Sequence, residues 1–223
     1  MRFSLRILLT VLAFQMYSIS SAQIQLHLRS GFSINSFLFQ NSAQEFTGGY
    51  KYKVGNYTAL GVDIHFKKLH TFRTALGYRQ TGASTFIEKT RIAYDFQYVD
   101  LSAAYLISCY TNDRVKLYLG AEFNLGILAR AEQQTGTDIY DLRADRSLRD
   151  IDFTPNLVFG TKIKVVEPLY FGIEYRFGIS ATNIESDVQK PTQVTRNMAH
   201  NILFGLSFTL PKKPQTENQP NQK

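Results

Sequence analysis

The sequence predicts an all-β fold, an eight-stranded antiparallel up-and-down transmembrane β-barrel, on three observations. The first is strict alternation of apolar and polar residues in segments of about ten residues, the signature of a membrane-crossing strand. Residues 169–179 show it most clearly. Leu169, Phe171, Ile173, Tyr175, Phe177 and Ile179 share one face, and Tyr170, Gly172, Glu174, Arg176 and Gly178 share the other. The second is number and spacing: eight such segments, joined by connections that alternate long and short, as in outer-membrane barrels. The third is the chemistry of the polar face, which carries glycines and full charges. A soluble barrel would bury the apolar face and expose the polar one. Enclosing these charges favours a barrel turned inside out, with lipid on its apolar side.

The bulk composition bounds the reading. The chain has 223 residues, enough for one barrel domain. It has 13 Tyr, 17 Phe and no Trp, and charged residues make up 19%, below the roughly 25% of an ordinary soluble domain. Cys109 is the only cysteine, which excludes an intrachain disulfide and a paired-cysteine metal site. The net charge is +7. No lysine or arginine run exceeds a pair, so no nucleic-acid surface is expected.

Residues 1–22 read as a cleavable signal peptide. Arg2 and Arg6 open it, 7–14 are apolar, and Ser20, Ser21 and Ala22 precede a cut at Gln23. The apolar run is far short of the ~20 residues of a spanning helix. The barrel is expected over 23–210. The polar, proline-bearing 211–223 reads as a disordered periplasmic tail.

The first strand is 24–35, with Ile24, Leu26, Leu28, Phe32 and Ile34 outward and Gln25, His27, Arg29, Gly31, Ser33 and Asn35 inward. Phe37 and Phe39 offer an extension before a long loop over 36–57. The second strand, 58–66, sends Asp63 and His65 inward. After a short turn, the third, 72–81, sends Arg73 and Arg79 inward. A second long loop is expected over 82–95. The fourth strand, 96–107, sends Tyr98, Asp100 and Ser102 inward, and the turn-forming Thr111-Asn112-Asp113 follows.

The fifth strand, 115–128, has the cleanest alternation, with Lys116, Tyr118 and Glu122 inward. Residues 129–150 lack a period and read as a third long loop with a short helical turn. The sixth strand, 151–165, sends Asn156, Gly160, Lys162 and Lys164 inward. Pro155 cannot donate to a ladder and is expected near a rim or bulge. Residues 166–168 turn tightly into the seventh strand, 169–179. A fourth long loop, 180–198, precedes the eighth strand, 199–210.

Eight strands leave an interior just wide enough for side chains. The expected lumen network is Arg29, Asp63, Arg73, Arg79, Asp100, Lys116, Glu122, Lys162, Lys164, Glu174 and Arg176. Interior charges must pair, so the leading reading is a rigid polar plug. The alternative is a narrow anion-preferring path, from the surplus of bases. His27, His65 and Asp63 read as hydrogen-bonded lumen residues, and no metal or other cofactor is expected. Cys109 sits in a turn, as an inert thiol or one able to pair with another protein. In the third loop, Arg130, Glu132, Arg143, Asp145, Arg146 and Arg149 are candidates for partner recognition.

Some eight-stranded barrels deacylate lipid A, but the segment around His200 lacks the His-x-Ser of those enzymes. The chain is therefore read as non-catalytic.

Two segments carry a family resemblance. Leu76-Gly77-Tyr78-Arg79-Gln80-Thr81-Gly82 is similar to a Leu-x-Tyr-x-x-Lys-Gly segment of the PorT-like outer-membrane β-barrels common in Bacteroidetes. Tyr98-Val99-Asp100-Leu101 with Tyr105 resembles that family's Tyr-aliphatic-Glu-Ile-Pro, Lys-Tyr strand. Here Thr81, Ser102 and Ala104 stand where the family has lysine, proline and lysine. The resemblance implies a structural or accessory barrel in the outer membrane of a Gram-negative bacterium, linked in the founding member to type IX secretion. Expected partners are outer-membrane lipid, the barrel-assembly machinery during insertion, and a protein at the loops, turns or tail. A narrow solute or ion channel is the alternative function, and a lipid-modifying enzyme the third.

Overall fold

The computed structural model describes residues 23–40, 46–47, 49–66, 69–87, 89–144, 148–185 and 194–211. The expected signal peptide and nearly all of the expected tail lie outside them. The strands are β1 (Gln23–Gln40), β2 (Phe46–Thr47), β3 (Lys51–Phe66), β4 (His70–Ile87), β5 (Thr90–Thr111), β6 (Val115–Thr135), β7 (Asp138–Asp141), β8 (Ile151–Val166), β9 (Leu169–Ile179) and β10 (Val194–Thr209). Eight of them, β1, β3, β4, β5, β6, β8, β9 and β10, lie side by side and antiparallel in that order. β10 also pairs with β1, from Gln25↔Thr209 to Gln40↔Val194, and this seam closes the ring. A closed ring leaves none of the eight with an open edge, the condition for crossing hydrocarbon as strands. The short β2 and β7 attach to β1 and β6 at one end of the barrel, here the loop end. The short turns and the beginning of β1 and end of β10 lie at the opposite, turn end.

The faces are inverted relative to a soluble barrel. Among the described residues, the exposed large side chains include Leu28, Leu60, Leu101, Phe123, Leu157 and Leu206, while the buried set includes Arg73, Arg176, Glu122 and Asp63. β9, at about 3.3 Å per residue and a tilt of ~40°, rises roughly 28 Å, close to the apolar band of an outer membrane.

The connections differ from expectation. β1 runs on through Phe37 and Phe39, and β3 begins at Lys51, so much of 36–57 is strand. β4 and β5 continue to a hairpin between Ile87 and Thr90, which removes most of the loop expected over 82–95. β6 extends to Thr135 and turns back through Gly136, whose φ of 63° suits a hairpin corner, into β7. Residues 129–144 thus form a strand extension, a hairpin and a turn where a loop with a helical turn was expected over 129–150. β10 begins at Val194, within the expected 180–198 loop.

Local chemistry explains the turn end. Asn112 Oδ1 accepts hydrogen bonds from the backbone N–H groups of Arg114 (2.9 Å) and Val115 (2.6 Å), fixing the β5–β6 turn. Pro155 sits just past the β8–β9 ladder, which starts at Asn156↔Gly178, so its missing donor costs no ladder bond on that side.

Candidate functional site

The lumen holds five buried bases, Arg29, Arg73, Arg79, Lys162 and Arg176, and five buried acids, Asp63, Asp100, Glu122, Asp152 and Glu174, among the described residues. Each comes from an inward position of a strand, so the pleat alone brings them together.

Two carboxylates organise the lower network. Asp63 on β3 accepts from Arg73 Nε (2.7 Å) on β4 and from Lys162 Nζ (2.6 Å) on β8. His27 Nδ1 lies 3.2 Å from the same carboxylate. Glu174 on β9 accepts from Arg29 (2.6 Å), Arg73 (2.5 Å) and the Tyr118 hydroxyl (2.8 Å). Arg176 Nε stands 3.4 Å from Glu174, and Arg176 also pairs with Glu122. Charges buried this deeply are stable only when paired and hydrogen-bonded. The network joins six strands, β1, β3, β4, β6, β8 and β9, and laces the barrel across its interior.

A second cluster lies nearer the loop end. Arg79 grips Asp100 through Nε (2.8 Å) and reaches Asp152 (2.9 Å) with the same guanidinium. Its guanidinium carbon lies over the Tyr98 ring, 4.6 Å from the centroid. Arg79 comes from one segment of the family resemblance and Tyr98 and Asp100 from the other, so the two motifs meet in one clamp. Asp152 further accepts from Thr182 (3.0 Å), Thr154 (3.2 Å) and Asn197 (3.2 Å).

Space for these side chains is made by glycine. A Cβ on Gly160 would lie 2.4 Å from the Tyr118 ring, and one on Gly126 would lie 2.8 Å from Arg79. Above the charges an apolar cap closes the loop end. Phe37, Phe96, Leu128 and Ile184 are buried there, with Tyr50 and Tyr94 packed against them. Phe37 stacks on Phe96 with ring centroids 5.4 Å apart.

The structure separates two residues from the expected network. Lys164 pairs instead with Glu167 in the β8–β9 turn, at 2.7 Å, and that hydrogen bond holds the Glu167 carboxyl below its usual range. Lys116 is half-buried at the turn end, 3.4 Å from His65 Nδ1. Asp152 joins the network although it was not singled out. It shares the parity of Asn156, Gly160 and Lys162, and that parity was the available signal.

The surplus of bases behind the anion-path alternative therefore disappears. His65 Nδ1 lies 2.7 Å from Thr71 Oγ1, and no metal-binding cluster is found among the described residues. His200 lies against the Tyr175 hydroxyl (2.8 Å), a residue exposed on the outer face, away from the lumen acids.

Of the recognition candidates, Arg130 and Glu132 pair with each other on β6 rather than on a loop, and Arg143 donates to Ala129 O at 3.0 Å. The Arg149 N–H bonds Ile184 O at 2.9 Å. Asp145 and Arg146 lie outside the described residues.

None of the curated proteins compared with the chain matches it. Among solved structures, Neisserial surface protein A is similar at a TM-score of 0.52 and 14% identity, covering 85% of this chain and 99% of that one. That likeness is one of fold. Weaker likenesses are to Ail of Yersinia pestis (TM-score 0.39, 13% identity, 82% and 98% covered) and OprG of Pseudomonas aeruginosa (0.42, 12%, 83% and 95%). The family model described as "Outer membrane protein beta-barrel domain" matches residues 15–183. With a closed ring, an apolar outer face and most of its length matched, the chain belongs to the outer membrane protein beta-barrel domain family and is an outer-membrane protein of the Gram-negative type.

Proposed function

We propose that the protein is a non-catalytic, non-conducting barrel, a rigid outer-membrane scaffold that presents its loop end to a protein partner. The observation that carries this is the filled lumen. Its ten buried charges balance, and the pocket beside Glu174 and Arg73 measures about 10 Å³, room for about one water. The cap of Phe37, Phe96 and Leu128 closes the route above it. A wall this interlocked holds the β4–β5 and β6–β7 hairpins in fixed positions, which suits recognition by exposed elements.

The PorT-like segments extend the proposal to an accessory role in type IX secretion. The Arg79–Asp100 clamp supports shared architecture between those segments.

Planar-bilayer recording on the purified protein tests the reading. No discrete ion steps are expected. Reproducible single-channel steps would replace the scaffold with the channel alternative. For the secretion role, a deletion strain should lose export of type IX cargo, and unchanged export would remove that part.

A further inference from the structure

At the turn end the lumen opens into a cavity of about 750 Å³, the size of a small-molecule site. Its lining is lopsided in charge. Lys116, Lys162 and Arg114 contribute three positive charges, with Asp113 on the turn as the one carboxylate among the lining residues.

Lys116 and Lys162 stand directly opposite in the β6–β8 register. Like charges in that relation repel. Lys162 is satisfied by Asp63 (2.6 Å) and Gln25 (2.7 Å). The recorded polar contact of Lys116 is His65 Nδ1 at 3.4 Å, and no described carboxylate lies within ion-pair distance of it. Beside it, Ser108 is 4% exposed, and its Oγ has no hydrogen-bond partner in the protein. His65 Nε2 is likewise buried and unpartnered. Unpaired buried polar atoms are uncommon in native proteins. Here Lys116, whose charge no described carboxylate pairs, and the residues carrying two unpartnered polar atoms, Ser108 and His65, line one cavity. Leu69 and Tyr170 add apolar wall.

We propose that this cavity is a binding site for a small organic oxyanion, a carboxylate or phosphate monoester with an apolar body. The oxyanion sits between Lys116 Nζ, Ser108 Oγ and His65 Nε2, and its body lies against Leu69 and Tyr170. The packed network above makes the site a closed-ended vestibule rather than the mouth of a path. In the outer-membrane orientation read from the strand pattern, it faces the periplasm.

The site brings its own reporter. Cys109, the single cysteine, is exposed and lines the cavity. An environment-sensitive fluorophore on that thiol, in detergent-purified protein, is titrated with phenyl phosphate, benzoate and inorganic phosphate. Calorimetry on unlabelled protein runs alongside.

Saturable binding of phenyl phosphate or benzoate is expected, with inorganic phosphate weaker for lack of an apolar body. A stronger response to inorganic phosphate alone would assign the site to the free anion and overturn the apolar-body part. Lys116→Gln is expected to weaken binding about tenfold or more, the loss of one charge-assisted bond. It should not lower the unfolding midpoint, because it removes a repulsion. Ser108→Ala should weaken binding severalfold with the fold intact, because its hydroxyl has no partner in the free protein. Lys164→Gln, beside the β8–β9 turn and outside the cavity lining, should bind as wild type.

No saturable response to any of the three probes at low salt, or an unchanged affinity in Lys116→Gln, overturns the proposal. Ion steps in a bilayer would overturn the sealed scaffold and leave this site standing, so the two failures are distinct.

Discussion

Glu174 is the residue on which the lumen turns. Its two oxygens take Arg29, Arg73 and Tyr118 at 2.5–2.8 Å. Removing its charge leaves at least two guanidinium groups buried without full compensation. Breaking one side of a buried ion pair costs ~3–5 kcal/mol. Glu174→Gln is therefore expected to lower the denaturant midpoint of the detergent-folded barrel substantially, read as loss of the faster-migrating unboiled form on a gel. Lys164→Gln should leave that midpoint unmoved, because its partner Glu167 is solvated at the turn. The sequence placed both residues inward by parity. Parity alone cannot tell a strand's middle from its end, and only depth within the barrel separates Glu174 from Lys164. The same reasoning explains Asp152, which parity reached but its position directly after the charged 129–150 stretch obscured.

At the scale of the element, the strands change character without changing period. Within the membrane band of β5, Asp100 and Ser102 point inward while Val99 and Leu101 point to lipid. Higher up, Tyr94, Phe96 and Tyr98 point inward, while Asp95 and Gln97 lie on the opposite face. The alternation persists with its sign reversed, as in a soluble barrel, because the outer face there meets water. A reading that looks for apolar-outward residues stops where the sign flips, and 82–95 looked like loop.

β6 adds a second reason. Its register jumps from Gln97↔Arg130 to Tyr98↔Leu128, so Ala129 is an extra residue. A bulge of this kind shifts parity by one. Leu128 and Ala131 are then both buried, and the period over 129–150 is erased for anyone reading every second residue. In contrast, β9 lies wholly within the band, and its bounds match the sequence-expected strand.

The β6–β8 pair makes its own prediction. Tyr118 lies across Gly160, where a Cβ would sit 2.4 Å from the ring. Gly160→Ala should destabilise by about 1–3 kcal/mol through overpacking. Adding Tyr118→Leu should recover part of that loss, and a double-mutant unfolding cycle measures the coupling.

For the whole molecule, the inversion of faces is the main physical fact. Leu101 is exposed mid-band on β5, whereas Ile139 is exposed on β7 beyond the ring. Arginine at a lipid-facing mid-band position costs ~2–4 kcal/mol, and little outside it. Leu101→Arg should thus impair folding into vesicles, measured by heat-modifiable mobility, and Ile139→Arg should fold as wild type. Equal behaviour of the two variants would mean that the apolar face does not meet lipid.

The seam between β1 and β10 has a temporal consequence. Every other long strand pairs with the next long strand along the chain, but the seam joins residues as far apart as Gln25 and Thr209, 184 positions away. β10, made long after β1, is thus the strand that β1 waits for. Until it arrives, the nascent chain carries two unsatisfied edges and a broad apolar face, a species prone to aggregate. Contacts this distant in sequence are slow to form. The interval between synthesis and closure is when this chain most needs an escort, and it ends only when the final strand docks.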